Sequence, residues 1–375
     1  MAFVSPLTLL AWLRPRLPEM LERLQAWVGM ETPSLEPERV RALAEVVAPE
    51  FERLGYRAVW HTDALELSCA EGAPVLLLGH LDTVYPAGTL AAMPFRQEGG
   101  RAYGPGVFDM KGGVVQALYA LRALRAEAPG TRLPSLLLVY DEETGSRRSR
   151  PLTESRARQA EAVLVLEPAA DADGKLKLGR KGIALYSMAA HGVAAHAGVD
   201  FEQGASAIVE LAARVAEVAG WSDPARGLTI NPGLISGGSR VNVVAAEAGA
   251  ELEVRAWTAA ELGAVDGRLR ALASAHPRVQ LEVRGGINRP PMEPTQASRA
   301  LAARAQALAG ELGFALATTR TGGGSDGNFT AALGVPTLDG LGMVGAGAHT
   351  PQEQIELAAL APRTALLAAL LRQIG

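Results

Sequence analysis

At 375 residues the chain is long for a single hydrophobic core, so two domains are expected. Hydrophobic content of 48% with 20% charged residues describes an ordinary globular protein, and a formal charge of -4 gives no electrostatic ground for nucleic acid or an anionic membrane as partner. The single cysteine, Cys69, excludes an intrachain disulfide and fits a reducing, cytoplasmic compartment. It reads as a core or strand residue, with no neighbouring base to make it a nucleophile.

In chain order, the apolar segment Ala2–Leu13 has no basic residue before it and is interrupted by Pro6, which predicts an amphipathic helix packed on the body rather than a secretion signal. Apolar residues three and four apart predict helices over Leu17–Met30 and Glu36–Leu54. Strands are predicted at Ala58–His61, Leu65–Ala70 and Val75–Gly79, the last a continuous apolar run of the kind buried on both faces. A helix over Lys111–Ala126, a strand at Ser135–Tyr140, a helix at Leu152–Ala160 and a strand at Ala162–Leu166 continue the alternation. Such alternation predicts a three-layer α/β domain with a largely parallel sheet.

The pattern changes near residue 180. Ile183–Ala190 alternates like a half-exposed strand, and Gly204–Val218 is helical. Strands at Leu228–Ile235 and Ala248–Trp257, a helix at Ala259–Ala273 and a strand at Val279–Arg284 follow. Gly285–Pro294 reads as a return linker, after which α/β alternation resumes with helix Gln296–Leu312, strand Ala315–Thr319, helix Gly327–Leu333, strand Thr337–Leu338 and helix Leu357–Ile374. Residues 181–289 are therefore expected to form an inserted α+β domain, with 1–180 and 290–375 making one discontinuous domain.

Candidate chemistry sits at the ends of the apolar runs. VLLLGHLDTVY places His80 and Asp82 at the carboxyl end of a buried strand, where open α/β sheets hold ligands. A carboxylate beside a ligating histidine can hold the imidazole tautomer, although His80 alone also fits an ordinary strand-end histidine. GPGVFDMKGG invites a dinucleotide reading and fails it, because Asp109 replaces the third glycine and would repel a pyrophosphate. In a tight turn Asp109 suits a carboxylate that bridges two cations. LLLVYDEETGS ends a buried strand in three acids, of which Glu142 and Glu143 point in opposite directions if the segment is extended; an exposed acidic turn is the alternative. LVLEPA repeats the arrangement with Glu167, and GAGAHTPQEQ delivers His349 from a glycine-rich loop. Two histidines and carboxylates without cysteine suit a catalytic divalent ion better than a closed structural zinc site.

The stretches GHLDTVYPAGTLAAMPFRQEGGRAYGPGVFDMKGG, DEETGS, LEPA, HGVAAHAG, RTGGGSDGNF and AHTPQEQ occur in the order of the dizinc aminoacylase and carboxypeptidase family, which the chain resembles over nearly its whole length. It is most similar to the glutamate carboxypeptidase (carboxypeptidase G) branch. The resemblance implies that Asp109 bridges two zinc ions per subunit, that His80 and Glu167 complete one site, and that Glu143 and His349 complete the other. Cobalt or manganese suits the same donors. It further implies Glu142 as general base, Asp82 as support for His80, and His196 rather than His191 as a residue reaching across a dimer interface to stabilise the oxyanion. Arg255 and Asn242 match positions that bind the substrate carboxylate or shape its pocket, against a plain strand arginine and turn amide. Gly323, Gly324 and Ser325 match a substrate-facing loop, and Lys175 and Arg289 lie near positions that touch an acidic side chain.

The expected protein is thus a homodimer through the inserted domain, which would also act as a lid. It would cleave an amide bond beside a free carboxylate in a small peptide or N-acyl amino acid. Deacylase and dipeptidase activities are the alternatives within the family, and a metal-holding protein without catalysis is the alternative outside it. Met110 follows Asp109 where a second Asp often stands, which leaves the ligand set unchanged.

Overall fold

The computed structural model describes residues 4–69 and 73–375, so the predicted helix start at Ala2 and the predicted strand end at Ala70 lie outside the described residues. The chain runs into α1 (Pro6–Leu13), where Ser5 Oγ accepts the Thr8 N–H and Pro6 takes the first turn. Then come α2 (Leu17–Val28), α3 (Pro37–Glu52), β1 (Arg57–Trp60), β2 (Ala64–Ser68), β3 (Val75–His80), β4 (Arg96–Glu98), β5 (Arg101–Tyr103), α4 (Gly112–Glu127), β6 (Ser135–Val139), α5 (Arg150–Ala157), β7 (Ala162–Val165) and β8 (Leu176–Arg180). The middle of the chain holds β9 (Gly182–His191), α6 (Ala207–Ala219), β10 (Thr229–Gly237), β11 (Glu247–Ala256), α7 (Ala259–Arg270) and β12 (Gln280–Arg289). The remainder holds α8 (Gln296–Glu311), β13 (Thr318–Thr321), α9 (Gly327–Ala332), β14 (Thr337–Leu338), β15 (Gly345–Ala346), β16 (Gln354–Glu356) and α10 (Leu357–Ile374). These divide into two compact units: Met1–Gly179 with Pro294–Thr321 and Ser325–Gly375, and Arg180–Glu293 with Gly322–Gly324.

In the first unit six strands form a sheet in the order β1-β2-β6-β3-β7-β14. β6, β3, β7 and β14 are parallel neighbours, while β1 and β2 add an antiparallel hairpin on β6. The fold is therefore mixed α/β with a largely parallel sheet. All of β3 is buried because strands flank it and side chains cover both faces. Alternation sorts those faces: Leu77 joins the core containing α1, α4 and α10, whereas Leu76 and Leu78 join a smaller core with Ala157 of α5. Among the described residues only α10 is long and apolar enough to cross a membrane, and Leu360, Leu366, Leu367 and Leu370 bury it in the core.

Two details place the site. Gly113 in the first turn of α4 lies where a Cβ would collide with the Leu166 carbonyl, so glycine lets this helix start against the end of β7. A small antiparallel sheet of order β15-β16-β5-β4 pairs Gln354 with Tyr103, which brings the loop after β15 beside the turn after β5. Strands of two or three residues carry no periodicity, and these were not expected from the pattern; nor was β8, which pairs with β13.

The second unit is a four-stranded antiparallel sheet, β10-β11-β9-β12, covered by α6 and α7. Here the linker expected at Gly285–Pro294 needs correction, because β12 continues to Arg289 and Gly285 pairs with Tyr186. A Cβ at Gly285 would meet the Leu185 carbonyl, so this glycine marks a close approach of strands rather than a loop.

Candidate metal centre

Three parallel strands end together, and each end carries part of the cluster. β3 delivers His80 and Asp82, the chain after β6 delivers Glu142 and Glu143, and the chain after β7 delivers Glu167. Asp109 comes from the turn before α4, entered through Gly106 at φ +73°, and His349 comes from the loop between β15 and β16.

Asp109 faces two donor sets at once. Its Oδ1 lies 3.2 Å from His80 Nε2, which is also 3.6 Å from Glu167 Oε1. Its Oδ2 lies 3.4 Å from His349 Nε2, which is also 3.2 Å from Glu143 Oε2. Glu142 offers an oxygen to the group formed with His80 and Glu167. His80 Nδ1 sits 3.0 Å from the Asp82 carbonyl, and a proton donated there leaves Nε2 free to bind a cation.

A cation fits this arrangement better than hydrogen bonds do. Each Nε2 faces two carboxylates, and one N–H serves only one of them. Glu143 Oε1 is buried and has no hydrogen-bond partner among the described residues. In a tetrahedral zinc site with bonds of about 2.0–2.1 Å, ligand atoms lie about 3.3–3.4 Å apart. The four separations, from 3.2 to 3.6 Å, bracket that distance.

The electrostatics agree. Burial raises the Glu143 carboxyl to about 7, with Asp109 adding to the effect against His349. Hydrogen bonds to Asp109 and Glu143 raise His349 to about 10. Burial opposes ionisation of His80, but Asp109, Asp82 and Glu167 outweigh it and raise its pKa well above the usual value. Burial likewise opposes ionisation of Asp109, which His349 and His80 nevertheless hold far below the usual carboxylate range.

The cluster's neighbours are tied into hydrogen bonds and ion pairs. Asp82 accepts the backbone N–H groups of Glu142 at 3.2 Å and Glu143 at 3.1 Å and the Ser34 hydroxyl at 2.7 Å, while its carboxylate is 3.5 Å from His80. Its carboxylate thus orders the acidic loop and also faces the histidine, which its carbonyl holds. Lys175 pairs with Asp171 and Asp173 at 2.9 and 3.5 Å, because those acids share its turn. Lys177, two residues on, is the lysine whose charge reaches Asp109. Ser325 is fully buried, its hydroxyl donating to Asp339 at 2.6 Å.

Ser34 and Lys177 carry no motif, Tyr85 and Glu353 sit within VLLLGHLDTVY and GAGAHTPQEQ without standing out there, and all four are found only through their contacts. Lys111 is also buried, donates to the Met30 carbonyl at 2.7 Å, and is lowered by burial to about 7.

In the second unit His196 is exposed, and its Nδ1 accepts the Gly198 N–H at 3.1 Å, which leaves the proton on Nε2. Asn242 is exposed, and its carbonyl accepts the Ala197 N–H at 3.0 Å. Arg255 is engaged: it pairs with Glu253 at 2.7 and 3.1 Å and donates to the Gly322 carbonyl at 2.7 Å. Gly323 and Gly324 turn their carbonyls to Arg180, and the buried Arg289 lies against Gly324.

Nitrogen and oxygen donors without thiolate, gathered at the carboxyl edge of a largely parallel sheet, fit the class of metal-dependent hydrolases. The sequence matches peptidase family M20/M25/M40 over residues 76–373, and the chain belongs to that family. It is 32% identical over 374 residues to carboxypeptidase G2 of Pseudomonas sp. (strain RS-16), covering 96% of this chain and 90% of the relative. It is 28% identical over 368 residues to succinyl-diaminopimelate desuccinylase of Wolinella succinogenes, covering 92% and 96%. The crystal structure of aminopeptidase PepT from Bacillus cereus shares the fold, with a TM-score of 0.79 at 21% identity over 96% of this chain and 98% of that one.

Proposed function

We propose that the protein is a dizinc amidohydrolase of carboxypeptidase type, releasing a C-terminal amino acid from a small peptide or N-acyl amino acid. The observation that carries this reading is Asp109, whose two oxygens each face a separate histidine and glutamate. His80, Asp109 and Glu167 would hold one ion, and Glu143, Asp109 and His349 the other. Bound there, the ions would supply Lewis-acid polarisation of the scissile carbonyl and a lowered pKa for the attacking water.

The chain's own residues do the rest. Glu142, held by its backbone on Asp82, accepts the proton of the attacking water and later gives it to the leaving amine. His196 of the partner subunit donates from Nε2 to the oxyanion. Arg255 and Arg289 offer guanidinium groups to the substrate carboxylate, Arg255 by exchanging Glu253 for it, and Asn242 shapes the pocket.

A homodimer through the second unit is supported by β10, an edge strand with Leu234 and Ile235 exposed, and by α6, packed beside it, with Ile208 and Val209 exposed. An apolar edge of this kind invites pairing with another copy. The single cysteine favours a cytoplasmic location. The relative named as a desuccinylase motivates a second reading, deacylation of an N-acyl amino acid.

Zinc analysis of the purified protein, with a hydrolysis panel of C-terminal-glutamate dipeptides and N-acyl amino acids, tests these readings. Two zinc ions per subunit with preferred release of a C-terminal amino acid is expected. A preference for acyl substrates favours deacylation. A metal-loaded protein inert on the whole panel removes the enzymatic reading.

A further inference from the structure

Glu353 has no part in the chemistry described above, yet its fully buried carboxylate touches both loops of the centre. Oε1 accepts the backbone N–H groups of Phe108 at 2.8 Å and Asp109 at 2.9 Å. Oε2 accepts the N–H of Gly106 at 3.0 Å and faces the Tyr85 hydroxyl at 2.7 Å. The same hydroxyl lies 2.9 Å from the carbonyl of Thr350, the residue after His349.

Both segments need such an anchor. Asp109 has φ -119° and ψ 93°, outside helical geometry, and Glu353 accepts the N–H groups of Gly106, Phe108 and Asp109 that lead into this irregular turn. His349 adopts φ +64°, a left-handed conformation that side chains other than glycine rarely take unless their surroundings hold them. Glu353 also closes the histidine loop, its N–H donating to Thr350 at 3.1 Å.

We infer that Glu353 is a positioning residue of the metal centre. With Tyr85 it locks the Asp109 turn to the His349 loop, so that the two donor sets stand at binding distance before an ion arrives. The inference rests on the reading of this cluster as a dinuclear metal site.

Metal-free wild type, Glu353→Gln and Tyr85→Phe are titrated with zinc against a competing chelator, and with cobalt followed by its visible spectrum. Glutamine keeps the size of the side chain but turns an NH2 group toward one pair of donors. Glu353→Gln is expected to fold and to bind zinc roughly 10- to 100-fold more weakly, the usual cost of losing a residue that orients ligands. Its cobalt spectrum at saturation should differ from wild type, which a merely structural role would not cause. Tyr85→Phe should weaken zinc binding in the same direction by a smaller factor. Wild-type zinc affinity and cobalt spectrum in Glu353→Gln, even with a lowered Tm, overturns the inference and leaves the metal site standing. If Glu353→Gln does not fold, unchanged affinity in Tyr85→Phe overturns it. A wild-type protein that binds neither ion overturns the metal site and this inference together.

Discussion

The Asp82 carboxylate accepts the backbone N–H of Glu142 at 3.2 Å, so the strand that ends in a histidine also fixes the acid proposed as the base. Ser34, from the chain between α2 and α3, donates to the other Asp82 oxygen at 2.7 Å and holds it in place. Three separate segments therefore meet on one buried carboxylate.

Asp82→Asn should test that junction. The amide keeps the volume but points an NH2 group at one of the two N–H donors, leaving a buried polar group unsatisfied at a cost of about 1–3 kcal/mol. The expected variant folds with a lower Tm, binds zinc roughly 10- to 100-fold more weakly and turns over more slowly. Wild-type values for zinc affinity and kcat would remove Asp82 as an organiser of the loop.

Glu142→Ala separates proton transfer from metal binding. If Glu143 and not Glu142 ligates, the variant keeps its zinc content while kcat falls by roughly 100-fold or more, the range expected for loss of a general base. Metal analysis beside steady-state kinetics decides this. Loss of one zinc would make Glu142 a ligand instead.

The cross-subunit role of His196 predicts complementation. Glu142→Ala and His196→Ala homodimers should each be nearly inactive. Unfolding and refolding them together should restore activity to about a quarter of wild type, since half the dimers are mixed and each of those has one complete site. No recovery in demonstrably mixed dimers would place His196 outside the reaction.

The pH dependence of metal binding follows from Glu143 at about 7 and His349 at about 10. Both pKa values are raised, so both groups keep protons near neutrality in the metal-free protein, and an ion must displace them. Their contribution to metal-free stability is present at low pH and is lost as pH rises through 7 and then toward 10. The thermal shift caused by zinc should therefore grow between pH 6 and pH 9. Calorimetry at neutral pH, in buffers of different ionisation enthalpy, should record proton release on binding. A thermal shift independent of pH would contradict this protonation pattern.

Much of the sheet was legible, and with it His80, Glu142, Glu143 and Glu167 of the cluster, because each of these follows an apolar run. VLLLGH, LLLVYDEE and LVLE are strands buried by their neighbours, and the polar residues that end them point to a common edge. His349 was visible as a metal-type side chain in a glycine-rich loop, GAGAHTPQEQ. The supporting partners were harder to read. That Asp82 serves a histidine and two backbone N–H groups together is decided by how two loops pack, not by residue type. Lys175 and Lys177 look alike in GKLKLG, yet one finds two acids in its own turn and the other's charge reaches Asp109. Gly285 and Gly286 resembled a linker because glycine marks a flexible turn and a close strand contact with the same letter.

His80 and His349 lie near opposite ends of the chain, and the whole second unit is inserted between them in sequence. Ions shared through Asp109 would fasten these distant segments together in a chain whose one cysteine can form no internal crosslink. Closing so long a loop removes conformational freedom from the unfolded chain, much as a disulfide does. The catalytic ions would then also serve as a reversible staple, and stripping them would loosen the fold as well as stop the reaction.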